Sequence, residues 1–251
     1  MRLALLRVPA VRSALELELG RAIEYHASLA STQDRARELG GSGSGPLVVV
    51  ADEQTAGRGT HGRSWLAPAG QGLLASWLFR PAPAEPALFV LLAGVAMARA
   101  LDGLGVTGAR LKWPNDVEVG RNKVAGALAH ATTDGEGGSL VLGIGVNVHQ
   151  RREDFTPDLR ERATSLALAG HTMDRLALLV RLTRELDRVA EPSERGLALD
   201  EWRRRATLLG QRVEVLRDGR TAARGIARDI ADDGALIVGD ERIAAGEVRL
   251  Q

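Results

Sequence analysis

The sequence predicts an α+β fold in two parts, on the strength of three observations. Strand-like apolar runs, joined by glycine and asparagine turns, alternate with helical stretches through about 209 residues. A 12-residue apolar run at 87–98 indicates a buried helix, because it is too short to cross a bilayer. After residue 209 the pattern changes to short alternating runs between Asp-Gly turns, which is typical of a small antiparallel barrel. We therefore expect one domain over residues 1–209 and a second over 210–251.

Caps, turns and apolar runs define the elements of the first half. Ser31 precedes Asp34 by three residues, which is a helix-start signature, and the glycine-rich stretch 40–46 predicts a flexible loop. The predicted elements are a helix or irregular lead-in at 1–24, a helix at 31–39, buried strands at 47–51 and 72–79, and a helix at 87–101.

Hairpin signals dominate the middle of the chain. Turn residues at 120–122 and 134–138 separate runs that alternate or are continuously apolar. The predicted elements are strands at 109–113, 117–119, 123–132 and 139–148, followed by helices at 173–190 and 197–209.

Composition excludes several classes of protein. The 33 basic and 32 acidic side chains nearly cancel, which disfavours a nucleic-acid binder. The absence of cysteine excludes disulfides, thiol nucleophiles and cysteine-ligated zinc. The first 20 residues mix Arg and Glu with Leu and lack the features of a signal peptide, so we expect a cytoplasmic protein.

The rarest polar residues are clustered. Only two lysines occur, Lys112 and Lys123, against 31 arginines, and only three asparagines, Asn115, Asn122 and Asn147. All five lie between 112 and 147. A compact ammonium or a neutral amide has properties that arginine lacks, so this clustering indicates function.

The glycine-rich loop at 54–65 (QTAGRGTHGRSW) is the first chemical motif. It matches G-x-G-x-x-G, but Pro68 and Gly70 follow where a dinucleotide fold needs a helix, and the kinase motifs are absent. The loop could bring backbone N–H groups, Arg58 and Arg63 against phosphate, or it could be a solvated surface turn.

Three further blocks follow within 95 residues of the loop's start. In KWPND (112–116), Asp116 is a candidate to hold Mg²⁺ or to orient a basic side chain. In RNKVAGAL (121–128), small residues leave room beside a strand. In GIGVNV (143–148), two glycines in one strand indicate close approach of a ligand or of another backbone.

In order and spacing, STQ (31–33), QTAGRGTHGRSW, KWPND, RNKVAGAL and GIGVNV resemble the motifs of the biotin–protein ligases across about residues 22–190. The resemblance implies a class II synthetase-like catalytic fold, built on a mixed, largely antiparallel sheet, and a C-terminal SH3-like barrel. It also implies MgATP-dependent conversion of biotin to biotinyl-5'-AMP, and transfer of the biotinyl group to a lysine of a biotin carboxyl carrier protein.

Site residues follow from the same resemblance. The implied catalytic residues are Lys123, Arg58 and Lys112. The implied biotin-binding residues are Ser31, Thr32, Gln33, Gln54, Arg58, Gly59, Thr60, Lys123, Gly126 and Gly145. The implied ATP- or adenylate-binding residues are Arg58, Arg63, Trp65, Lys112, Asn115, Lys123 and Asn147, and Asp116 is the candidate metal residue. The chain departs from the family at Gln33, where Asn is common, and at Thr60, where a second loop arginine is common.

Three alternatives remain open at this stage: a lipoate–protein ligase, a biotin-sensing DNA-binding repressor, and a non-catalytic binding module. Only about 24 residues precede the first matching segment, too few for a helix-turn-helix domain, so no nucleic-acid or membrane partner is expected. Lys112 and Lys123 argue against a non-catalytic module. A homodimer is possible on sequence grounds.

Overall fold

A seven-stranded sheet forms the centre of the computed structural model, which describes residues 2–83, 85–133, 138–217 and 219–251. Its strands are β1 (Ala22–His26), β2 (Leu47–Ala51), β3 (Gly72–Phe79), β4 (Arg110–Lys112), β5 (Asp116–Val119), β6 (Asn122–Thr132) and β7 (Ser139–Asn147). Their spatial order is β1-β2-β3-β7-β6-β5-β4. Only β1 and β2 pair in parallel. The prediction of a mixed, largely antiparallel sheet is therefore confirmed.

Five α-helices accompany the sheet in the described residues. They are α1 (Pro9–Leu19), α2 (Thr32–Gly41), α3 (Pro86–Asp102), α4 (Arg175–Ala190) and α5 (Arg195–Arg205). The Ser31 hydroxyl accepts a hydrogen bond from the Asp34 backbone N–H at 3.3 Å, as the capping signature predicts. Helix α3 is buried along almost its whole length, which explains its apolar run. No described helix is both long and apolar enough to span a membrane.

Two predicted elements need correction. Residues 1–24 contain a 3₁₀ helix at Arg2–Arg7, α1 and the start of a strand, β1. Strand β1 was missed because AIEYH is short and largely polar; its hydrogen bonds come from β2, a partner distant in sequence. Helix α5 ends at Arg205 rather than at 209, because Thr207 donates its N–H to the Leu111 carbonyl of β4.

The two faces of the central sheet are covered unequally. Helices α3 and α4 cover one face, where the buried Trp77 indole donates to the Thr183 hydroxyl at 3.0 Å. The shorter α2 covers part of the other face, over a small apolar cluster that includes Ala36 and Leu78. The rest of that face holds the candidate site.

The C-terminal segment forms a five-stranded antiparallel sheet, as its turn-rich pattern predicts. Its strands are β8 (Arg212–Arg217), β9 (Arg220–Ile230), β10 (Leu236–Val238), β11 (Glu241–Ile243) and β12 (Glu247–Leu250), in the order β11-β10-β9-β8-β12. Most of the predicted turn at 134–138, and Asp218 of one Asp-Gly turn, lie outside the described residues. The buried Trp113 indole donates to the Gly234 carbonyl at 2.9 Å and so links the two sheets.

Candidate active site

A cavity opens on the sheet face beside α2. It encloses about 490 Å³ of space, part of it open to solvent. Helix α2, the glycine-rich loop and strands β3, β6 and β7 surround it. The lining residues are Ser31, Thr32, Gln33, Gln54, Arg58, Gly59, Thr60, Trp65, Ala75, Ser76, Asn115, Lys123, Gly126, Ala127, Leu128, Gly143, Ile144 and Gly145. The sequence motifs, far apart in the chain, therefore meet at one place.

The inner end of the cavity is a hydrogen-bonded set of neutral polar groups. Gln54 Oε1 accepts from the Thr32 backbone N–H at 2.7 Å and from the Thr32 hydroxyl at 3.0 Å. The Thr32 hydroxyl also lies 2.8 Å from the Ser76 hydroxyl. Ser76 was not predicted, although it is the only polar side chain besides the Trp77 indole in an otherwise apolar strand. We call Ser31, Thr32, Gln33, Gln54 and Ser76 the inner pocket.

Gln33 closes the inner pocket on the β6 side. Its amide Nε2 donates to the Leu128 carbonyl at 3.0 Å, and its side chain is buried. A Cβ at Gly143 would lie 3.4 Å from Gln33 Cδ, an ordinary van der Waals separation, so the Gln33 side chain packs over this point of β7. The extra methylene of glutamine thus reaches β6.

Two glycines at the mouth make room for side chains of the protein itself. A Cβ on Gly145 would lie only 2.3 Å from Trp65 Cε2, so the indole packs directly on β7. A Cβ on Gly126 would lie 3.1 Å from Lys123 Nζ. The glycines of β7 predicted a ligand or another backbone nearby, whereas the structure places the Trp65 side chain against Gly145; the room predicted beside Gly126 is occupied by the Lys123 side chain.

Lys123 lies at the mouth, half-buried, with its ammonium held from two sides. Lys123 Nζ is 2.5 Å from Asp116 Oδ1 and 5.6 Å from the centre of the Trp65 ring. Asp116 thus orients a basic side chain, one of the two roles considered for it. Burial raises the pKa of the nearby Glu118 carboxyl, and the charges of Lys112 and Lys123 oppose that rise.

The two loop arginines point in different directions. Arg58 lines the cavity, is 59% exposed, and pairs with Asp34 at 2.8 Å. Arg63 does not line the cavity; it is 58% exposed and lies 3.8 Å from Glu247 of β12. The loop itself is a tight hairpin, in which the Gly59 N–H donates to the Arg63 carbonyl at 2.7 Å.

Other predicted residues lie at varying distances from the cavity. Asn115 lines it and donates to the Ala127 carbonyl at 2.8 Å, which ties the KWPND turn to β6. Lys112, opposite Asp116 in the β4–β5 ladder, and the buried Asn147 are not part of the lining. The described residues contain no cluster of three or more His, Asp or Glu side chains that could hold a metal ion, so Asp116 has no companion carboxylates of that kind.

The Trp65 side chain is half-buried, and its indole Nε1 is shielded from solvent. In the described part of the chain, no group accepts a hydrogen bond from its Nε1. A buried donor left without an acceptor costs about 1–3 kcal/mol. This nitrogen packs against Gly145 of β7 rather than facing the open mouth.

Comparisons with known proteins give consistent results. Residues 27–147 match the biotin/lipoate A/B protein ligase family, and residues 208–250 match the biotin protein ligase C-terminal domain. The chain is 38% identical over 216 residues to the biotin–[acetyl-CoA-carboxylase] ligase of Mycobacterium tuberculosis, covering 80% of this chain and 76% of that protein.

Longer proteins and a solved structure are also similar. The chain is 36% identical over 176 residues to the bifunctional ligase/repressor BirA of Bacillus subtilis, covering 67% of this chain and 54% of that one. The chain thus spans about half the length of this relative. The biotin protein ligase of Aquifex aeolicus in complex with biotin and ATP superposes with a TM-score of 0.72 at 29% identity, covering 91% of this chain and 98% of that one.

Proposed function

This chain belongs to the biotin protein ligase family, and from that premise we propose that it activates biotin with MgATP and transfers the biotinyl group to a protein lysine. A biotin carboxylate oxygen attacks the α-phosphorus, the bond from that phosphorus to the α–β bridging oxygen breaks, and pyrophosphate leaves. The amine of a carrier-protein lysine then attacks the acyl carbon of biotinyl-5'-AMP, loses a proton and releases AMP.

The observation that carries this proposal is the continuity of one cavity from the neutral inner pocket to Lys123. Biotin's ureido ring presents both N–H donors and a carbonyl acceptor, which suit the hydroxyls and amides of the inner pocket. Leu128 and the glycines Gly126, Gly143 and Gly145 line the path between the two ends, so the valeryl arm would lie along an apolar stretch with its carboxylate near the mouth.

The positive charge at the mouth would reduce the repulsion between the two anions that react in the first step. A carboxylate and a phosphate about 4 Å apart repel by about 4 kcal/mol at an effective dielectric constant of 20. Lys123, held by Asp116, would lie between the two anions, and Arg58 would approach the phosphates. Lys112 and Arg63 would contribute charge from outside the present lining. Mg²⁺ would enter as part of the MgATP substrate.

Trp65 supports the nucleotide end of the same proposal. Its indole packs on β7 at the mouth with one side against Gly145. An adenylate offers an aromatic ring that would stack on the other side. Closure of the glycine-rich loop would exclude water, which protects the mixed anhydride from hydrolysis.

Lipoate is the principal alternative substrate, since the matching family model covers lipoate ligases as well. The match to the biotin protein ligase C-terminal domain favours biotin. So does the polar inner pocket, because a dithiolane ring has no N–H or carbonyl group for it to bind.

Exchange of labelled pyrophosphate into ATP tests the proposed first step. We expect exchange with biotin and none with lipoate, followed by mass addition of one biotinyl group to a carrier domain of a biotin-dependent carboxylase. Exchange with lipoate alone would overturn the choice of substrate, and exchange with neither would overturn the adenylation chemistry.

The absence of nucleic-acid partners, a cytoplasmic location and a possible homodimer remain predictions. The relatives named ligase/repressor make DNA binding worth a direct test. A salt-sensitive, sequence-specific gel shift would contradict the prediction of no DNA partner.

A further inference from the structure

We propose that Gln150 and Ser165 are positioning residues that hold Lys123 in place through its backbone; this rests on the proposed function. The backbone of Lys123 lies beyond the end of β7, whose ladder with β6 reaches no further than the pair Ala125–Val146. An irregular segment takes the place of β7 there. The Lys123 N–H donates to the Arg162 carbonyl, and the Thr164 N–H donates to the Lys123 carbonyl, each at 2.9 Å.

This segment, residues 162–166, is held by a buried polar network. Asn147 Nδ2 donates to the Thr164 carbonyl at 3.0 Å, and the Leu166 N–H donates to the Asn147 carbonyl at 3.0 Å. Gln150 Nε2 donates to Asn147 Oδ1 at 2.9 Å, and the Ser165 hydroxyl donates to the Gln150 carbonyl at 2.6 Å. A hydrogen-bonded path therefore leads from Gln150 to Lys123.

The network explains why an amide is needed at position 147. The Asn147 side chain donates with its nitrogen and accepts with its oxygen, so aspartate could not replace it without losing a donor. Asn147, Gln150 and Ser165 are at most 5% exposed, and none of them lines the cavity. Their contact with the reaction would therefore be indirect.

The length of the lysine side chain makes such support important. Lys123 reaches the mouth on a flexible four-carbon stem, and Asp116 fixes only its tip. A shift of the backbone would change where the ammonium meets the two reacting anions. A displacement of about 1 Å at a reacting centre can reduce a rate by about 10²-fold.

The first test is Gln150→Leu, which removes the amide and keeps the side chain's approximate size. We expect kcat for biotin-dependent pyrophosphate exchange to fall roughly tenfold, with KM for biotin within about twofold, because the inner pocket is untouched. Thr183→Val is the control: it deletes two buried hydrogen bonds, from the Trp77 indole and to the Leu179 carbonyl, on the opposite face of the sheet, and should leave kcat unchanged.

A double-mutant cycle with Lys123→Ala separates positioning from general damage. If Gln150 acts through Lys123, Gln150→Leu has little further effect on kcat when Lys123 is already absent. An equal tenfold loss in both backgrounds would overturn the proposal, as would an unchanged kcat in Gln150→Leu alone.

Ser165→Ala is the smaller change if Gln150→Leu does not fold. It removes the hydroxyl that donates to the Gln150 carbonyl and should show the same pattern with a smaller loss of kcat. A lower melting temperature with unaltered kcat for the folded fraction would assign the network to stability alone. Wild-type protein that shows no exchange would count against the proposed function and not against this network.

Discussion

The inner pocket and the mouth of the cavity differ in how completely they are formed. In the inner pocket, Thr32, Gln54 and Ser76 hydrogen-bond one another, so a ligand meets groups already in position. At the mouth, Arg58 is mostly exposed and pairs with Asp34, while Arg63 lies outside the cavity lining beside Glu247. A neutral ring would therefore need little rearrangement, whereas Arg58 and Arg63 would have to leave their present partners to meet a phosphate. Four substitutions probe this difference.

The largest effect is expected at the mouth, for Lys123→Ala. Loss of a charge that stabilises the transition state should slow adenylate formation by about 10²–10³-fold. Single-turnover conversion of biotin and ATP measures this step. Lys123→Arg is the informative partner variant, because it keeps the charge but not the compact ammonium. An unchanged rate in Lys123→Ala would show that the mouth needs no cation at this position.

Gly145→Ala should also affect the mouth of the cavity, by displacing the Trp65 indole. The added methyl group would collide with the indole at 2.3 Å, so the ring must leave β7. We expect KM for ATP to rise about tenfold while the Kd for biotin changes little, by analogy with the loss of a stacked aromatic contact and its packing. Gly196→Ala, in α5 with open space around it, is the control. If the Kd for biotin rose by a similar factor, the mouth and the inner pocket would not bind their ligands independently.

Thr32→Val tests the inner pocket. The substitution keeps the shape and removes the hydroxyl that bonds Gln54 and Ser76. Loss of such a bond costs about 0.5–1.5 kcal/mol, so the Kd for biotin should rise about two- to tenfold. Titration calorimetry measures it, with KM for ATP as the reference that should stay constant. Unaltered biotin affinity would show that the pocket's hydrogen bonds are not used for recognition.

The smallest effect is expected for Thr60→Arg. Thr60 lines the cavity at the loop position where the family resemblance implies a second arginine. An added cation should slow the release of biotinyl-adenylate several-fold, because one more guanidinium would contact the phosphate. A chase with unlabelled ligand measures the release rate. Equal rates in the two proteins would remove any role for this position in retention.

Much of the arrangement could be predicted where local pattern decides it. The Ser31 cap and the β4–β5–β6 hairpins follow from residues near one another in the chain. The meeting of STQ with Lys123 was expected from a resemblance, and the cavity lining agrees with it.

Long-range contacts were beyond prediction because nothing local encodes them. Trp113 appeared to belong to a ligand motif, yet its indole bonds Gly234 of the C-terminal sheet. Asn147 was expected near adenylate, but both ends of its amide are engaged in a buried network. Arg63 was expected near phosphate and lies beside Glu247. Trp113 and Arg63 contact residues of the C-terminal sheet, far away in the sequence. Asn147 contacts Gln150 and Thr164, which lie in irregular segments after its strand.

The bond from Trp113 to Gly234 bears on how this chain can be divided. Composition changes near residue 209, but one continuous apolar core includes Leu88 and Trp113 on one side and Val213 and Leu236 on the other. Removing the last 42 or so residues would leave an indole donor unpaired and a strip of α3 open to water. The two parts differ in sequence pattern but share one apolar core. A chimera that takes its C-terminal sheet from a relative would therefore also need that relative's residues at Trp113 and at the α3 positions Leu88 and Leu91.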